Sequence, residues 1–189
     1  MTTSLEPLIL GLAIFFAIHL LPTFSKVRNA LCLKFGEKPY KSIFALVSFV
    51  GLYFVVIGKG EAPFIPVWEP PSWSYVITNI AMLIALYFLV AMQMQSNIKR
   101  FTAHPMLWGI TFWSGGHLAT NGDQASMILF GSFLAYSLFD MVSANSRGAR
   151  PKGKKISLRY DAIIAVISTI GYVALANLHP YFTGMTLVR

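Results

Sequence analysis

The sequence predicts an all-α fold, a polytopic integral membrane bundle of about six transmembrane helices. Five is the alternative, if the fourth apolar stretch re-enters the membrane instead of crossing it. Three observations predict this class. Of 189 residues, 56% are hydrophobic and only 12% charged, where soluble domains carry about 25% charged residues. The apolar residues gather into runs close to the roughly 20 residues that cross a hydrocarbon core. The basic residues sit in short loops between those runs. A chain this small has too little interior to hide so much apolar surface from water. The composition excludes disorder, a collagenous fibre and a disulfide-stapled scaffold. With no internal repeat and no low-complexity tract, one domain over 1–189 is expected.

The spans read in order as follows. The first is Leu5–Phe24, and the second, slightly short, is Ser42–Ile57. The third is Tyr75–Met94, and the fourth and most polar is Pro105–Asn121. The fifth is Ala125–Ala144 and the sixth Asp161–His179. The start, MTTSLEP, lacks the positive flank and the small-residue cleavage site of a secretory leader, so the first span is expected to persist.

Charge orients these spans. The net charge is +8, from 15 Lys and Arg against 7 Asp and Glu. All the basic residues except Lys59 and Arg189 fall in the loops after spans one, three and five. Short basic loops face the cytoplasm and its anionic lipids. Both termini are therefore expected to face outward, and a bacterial inner membrane suits this multi-pass pattern. The basic excess belongs to the lipid surface; no soluble basic fold suggests nucleic acid. On the other side, EAPFIPVWEPPSWSY resists helix formation through its prolines. Its Trp68, Trp73 and Tyr75 suit the headgroup belt, as an interfacial lid without chemistry.

Ionisable side chains inside a bilayer are costly, about 2.5–3.5 kcal/mol for Lys, Arg or Asp, and mark functional sites. The four histidines, His19, His104, His117 and His179, all fall within spans or at their ends. Residues four apart share a helix face. Gly11, Phe15 and His19 form one such face; Gly109, Trp113 and His117 form another, with Gly115 and Gly116 directly before the histidine. Each stripe of small and aromatic residues can admit a planar cofactor, and haem iron accepts imidazole as an axial ligand. The alternative is that each histidine hydrogen-bonds a neighbouring helix. No C-x-x-C-H motif is present, so any haem is non-covalent.

His104 and His117 would point about 140° apart on a regular helix, and do not share one metal from it. His104–Pro105 reads as a helix start and His179–Pro180 as a helix end near the outer surface. By depth, His19 lies about 5 Å toward the inner side of its span and His117 about 6–8 Å toward the outer side. Depth alone therefore pairs His19 with His104, and His117 with His179. Asp140, near the inner end of span five, is expected to snorkel to a basic loop residue or to lie near His104. Cys32, in the amphipathic VRNALCLKF, belongs at the inner interface.

The run KRFTAHPMLWGITFWSGGHLATNGD resembles the signature of the NnrU membrane family. FFAIHLLPTFSKVRNALCLKFGEKPYKSIFALVSFVGLYFVV resembles its first two spans, and NLHPYF also fits. The likeness covers nearly the whole chain. It implies a link to nitrite and nitric-oxide metabolism in denitrification. A distant plant and cyanobacterial branch, zeta-carotene isomerase, is a membrane haem b enzyme. That branch implies haem ligation at His19 and His117. It carries a cysteine three residues before the second histidine, where this chain has Ser114. The H-P-M run is also similar to a motif of membrane isoprenylcysteine-type methyltransferases. Ala103 replaces their arginine, and their later acidic segment is missing.

Three functions follow. The first is a haem b membrane protein of nitrogen-oxide metabolism, with Gly11, Gly109, Trp113, Gly115 and Gly116 beside the macrocycle. The second is a haem-dependent cis–trans isomerase of a hydrophobic polyene. The third is a non-enzymatic membrane assembly factor whose histidines only bridge helices.

Overall fold

In the computed structural model, which describes residues 4–184, the chain is helical almost throughout. Arg189, one of the two basic residues expected on the outer side, lies outside the described residues. The helices are α1 (Glu6–Leu20), α2 (Ser25–Phe35), α3 (Glu37–Glu61), α4 (Ser74–Gln93), α5 (Pro105–Thr120), α6 (Gln124–Ser146) and α7 (Leu158–Thr183). Five of them are long and apolar enough to cross a membrane: α1 with its 3-10 extension to Thr23, α3, α4, α6 and α7. Their outward faces are apolar; Phe49, Val56, Val76, Ile80, Val142, Val166 and Ile170 are all more than half exposed. A helix with an apolar outer face has lipid as its natural solvent.

Element ends follow local chemistry. α1 stops at Leu20 and tightens into a 3-10 turn over Leu21–Thr23, because Pro22 has no N–H to continue the ladder. The amphipathic stretch after it is a separate helix, α2, ended by Gly36 at φ 87°. α3 then begins at Glu37, so the short second span gains length at both ends and reaches 25 residues. Pro39 sits in its first turn, where its missing N–H removes no helical bond. Pro105 opens α5, as the sequence predicts. With 16 residues, α5 is about 24 Å long at 1.5 Å per residue, shorter than a 30 Å hydrocarbon core. The expected helix end at His179–Pro180 is corrected: α7 runs one turn further, to Thr183, with Pro180 inside it. Gly184, in the left-handed conformation at φ 70°, ends the helix and donates to the Pro180 carbonyl at 2.8 Å.

The contacts group into two compact units. One holds the residues up to Glu69 with Gly122–Ser132; the other holds Pro70–Asn121 with the residues from Phe133 on. In the first, α1 packs antiparallel on α3 through glycines. A Cβ on Gly11 would lie 2.5 Å from the Val55 nitrogen, and one on Gly51 would lie 2.8 Å from the Phe15 nitrogen. Gly58 is closer still to the Leu8 backbone. Leu8, Leu12 and Val55 are buried around them. In lipid, helices gain little from hydrophobic exclusion, so contact rests on this close backbone approach.

In the second unit, α4 packs on α5 and on α7. Phe88 stacks on Phe112 at 5.8 Å, and the Thr78 hydroxyl donates to the Gly116 carbonyl at 2.8 Å. The loop after α4 is tied to the start of α7. The Asn97 amide donates to Asp161 Oδ2 at 2.5 Å and its backbone N–H to Oδ1 at 2.9 Å. Gly153 donates its N–H to the Lys99 carbonyl at 3.0 Å. The Lys99 ammonium donates to the Met92 and Met94 carbonyls, capping α4 in the way cations cap helix C-termini.

The glycine contacts give a direct expectation. Gly58→Ala should lower stability by about 1–3 kcal/mol, the usual cost of overpacking a close contact. Gly60→Ala and Gly171→Ala, where a Cβ meets nothing within 4 Å, should leave it unchanged or higher. Thermal unfolding of each variant in the same detergent checks the difference.

Candidate functional site

His19 sits in the last turn of α1, half-buried, with its ring stacked on Phe15 at 3.9 Å and tilted against Phe44 at 5.0 Å. Its Nδ1 lies 2.7 Å from the Phe15 carbonyl oxygen. A carbonyl can only accept, so Nδ1 carries the proton and the neutral ring has its lone pair on Nε2. His117, near the end of α5, repeats the arrangement: its Nδ1 lies 2.8 Å from the Trp113 carbonyl oxygen. The Trp113 ring lies 5.3 Å from the His117 ring and meets Phe133 edge-on at 5.4 Å. A histidine that binds a metal almost always donates its other ring N–H to a carboxylate, carbonyl or water. Both rings meet that condition, so the residues fit imidazole ligation of an iron macrocycle.

Side-chain partners are also present at the other two histidines. His104 Nε2 lies 2.8 Å from the Asn145 side-chain oxygen. His179 Nδ1 lies 3.1 Å from the Thr183 hydroxyl, a partner that can donate or accept. Asp140 pairs with a basic loop residue, Arg147, at 3.6 Å. Cys32 is half-buried on α2.

The glycines divide into two kinds. Gly11 faces the α3 backbone; Gly109 faces Leu89 and Ala85, and Gly116 faces Met82 and Ala81, all on α4. These three let helices approach. Gly115 differs, because a Cβ there would meet nothing within 4 Å. Ser114 is fully buried and donates to the Ile110 carbonyl at 2.6 Å.

Asn121, Gly122 and Asp123 lie in the family-like run after His117, where no role was read for them from sequence. The Asn121 amide donates to the His117 carbonyl at 2.7 Å, closing the end of α5. The Gly122 carbonyl accepts the N–H groups of Val67 and Trp68. Asp123, 3% exposed, accepts the Ser126 N–H at 2.9 Å and caps α6, and Lys59 lies 3.3 Å from its carboxylate. The signal was the N-G-D run itself, which reads as a turn followed by an N-cap.

Burial alone would raise the Asp123 carboxyl. The Ser126 hydroxyl and amide, with the Lys59 ammonium, outweigh it and hold the group below its ordinary 3.8. A carboxylate lowered on folding adds stability that is present above its unfolded pKa and is lost as pH falls through the folded one. The melting temperature in detergent should therefore fall below about pH 4. Asp123→Asn keeps a capping oxygen but loses the charge; it should melt earlier at pH 7 and show a flatter acid limb. A pH series of melting curves for both proteins checks this.

No curated protein and no solved structure matches the chain. The NnrU protein family matches it over residues 7–187, nearly its whole length. With the membrane-type helices and the motif around His117 in place, the chain belongs to the NnrU protein family.

Proposed function

We propose that this protein is a haem b protein of a bacterial inner membrane, serving nitrite and nitric-oxide metabolism, in which His19 and His117 are the residues that would hold the haem iron. One observation carries the reading. His19 and His117 each have Nδ1 on the backbone carbonyl one turn back, at 2.7 and 2.8 Å, with an aromatic ring beside the imidazole. Haem, when bound, supplies a one-electron centre whose potential follows its ligands and burial. The chain's own residues do the rest. The Phe15 and Trp113 carbonyls hold each ring in one tautomer and raise the basicity of Nε2. Phe15, Phe44 and Trp113 flank the rings and keep water off them. The basic loops face the cytoplasm in this reading, with both termini outward.

The test is a reduced-minus-oxidised absorption spectrum of the full chain, expressed with added haem precursor and purified in mild detergent. A sharp b-type α-band is expected. His19→Ala and His117→Ala should each abolish it, while His104→Gln and His179→Gln should keep it. A wild-type protein without the band overturns haem binding. The metabolic part is separable: a strain lacking the protein should accumulate nitrite or nitric oxide during growth on nitrate at low oxygen. An unchanged profile would remove that link and leave the haem assignment standing.

A further inference from the structure

Beside the start of α5 lies a groove of about 640 Å³, within the 300–1,000 Å³ range of small-molecule sites. Its walls are apolar, formed by Phe101, Trp108, Leu138, Met141 and Val142. Leu138, Val142 and Phe101 are 45%, 70% and 73% exposed, so the groove opens onto the lipid-facing surface of α6 and the loop before α5. Its other end is polar and basic. His104 and Asn145 pair across it at 2.8 Å, and Arg150 stands at its mouth. The Arg150 guanidinium donates to the Asn145 and Ala149 carbonyls. Among the described residues no carboxylate pairs with it. No side chain caps the N-terminus of α5, which leaves the positive end of a helix dipole at the same place.

The groove also borders a basic surface. The Gly153–Lys99 bond and the Asn97–Asp161 bonds hold the two loops of this unit together. Those loops carry Lys99, Arg100, Arg147, Arg150, Lys152, Lys154 and Lys155. An apolar wall open to lipid, ending in a guanidinium with no carboxylate partner among the described residues and under a basic rim, complements one kind of molecule. It has a hydrocarbon chain and an anionic head at interfacial depth. We infer that this groove binds an anionic phospholipid, its acyl chain along Trp108, Leu138 and Val142 and its phosphate at Arg150 and His104. Free phosphate has no use for the apolar wall, and a zwitterionic lipid has less use for the guanidinium charge. The inference stands independently of haem.

Native mass spectrometry of the full chain in detergent reads the binding. Phosphatidylglycerol and phosphatidylcholine of identical chains are titrated in turn. Phosphatidylglycerol should bind about fivefold more tightly, the worth of one basic residue near an anionic head. Arg150→Gln should abolish that preference. Val142→Trp fills the groove without changing charge and should lower phosphatidylglycerol binding. The Lys152→Gln/Lys154→Gln double variant changes the rim but not the groove, and should retain it. Both Val142 and Arg150 are exposed, and unchanged helicity and elution volume confirm folding. Equal binding of the two lipids, full binding by Val142→Trp, or displacement of phosphatidylglycerol by millimolar inorganic phosphate would each overturn the assignment.

Discussion

Inside a membrane a polar group has no water to turn to, and it must find its partner within the protein. In this chain the partner is repeatedly the carbonyl one turn back on the same helix. Ser48 donates to Phe44, Thr111 to Leu107, Ser114 to Ile110, Ser132 to Ile128 and Thr169 to Ala165. A hydroxyl treated this way has used its one proton. An imidazole has a second nitrogen. When Nδ1 of His19 or His117 follows the same rule, Nε2 carries the ring's lone pair. The constraint that makes serine silent in a membrane helix therefore makes histidine a candidate ligand.

The same constraint shapes how the helices meet. With lipid on the outside, contact rests on backbone approach, and Gly11, Gly51 and Gly58 bring α1 onto α3. Gly109 and Gly116 do this for α5 on α4. The aqueous ends follow different rules. There, charged and amide groups hold loops to helix ends: Asp161 with Asn97, Lys99 on the α4 carbonyls, and Asp123 with Lys59 and the first turn of α6. Back-bonded polar groups within the helices and clasping polar groups at their ends thus have separate physical origins.

Most of the helices were legible because their signals are local and strong. Apolar runs near membrane length mark spans, and a proline or glycine marks an end. Pro105 opens α5 and Gly36 separates α2 from α3, as such residues do. The reading of Pro180 as a helix end fell one turn short: the helix forgoes one N–H to carbonyl bond at Pro180 and runs on until the left-handed Gly184 ends it. For the candidate site, the sequence placed the histidines and glycines on their helices, but not what each glycine faces. The spacing that put Gly11 and Gly109 on histidine faces is also the spacing of helix-packing glycines, and periodicity cannot separate the two. The back-bond that sets the tautomer is an orientation of one side chain about its χ angles, which no pattern of letters encodes.

From composition and order alone came the helical class, the membrane as solvent, the basic loops, and the placing of the histidines in or at the ends of apolar stretches. These are properties of single segments, and each segment's hydropathy and charge carry them. Other features needed the folded chain. The ring nitrogen protonated in His19 and His117, the neighbours of each glycine, the burial of Asp123 beside Lys59, and the groove ending at Arg150 all depend on atoms distant in sequence or on side-chain rotation. Packing sets those, because close approach in three dimensions is decided by the whole set of helices meeting at once.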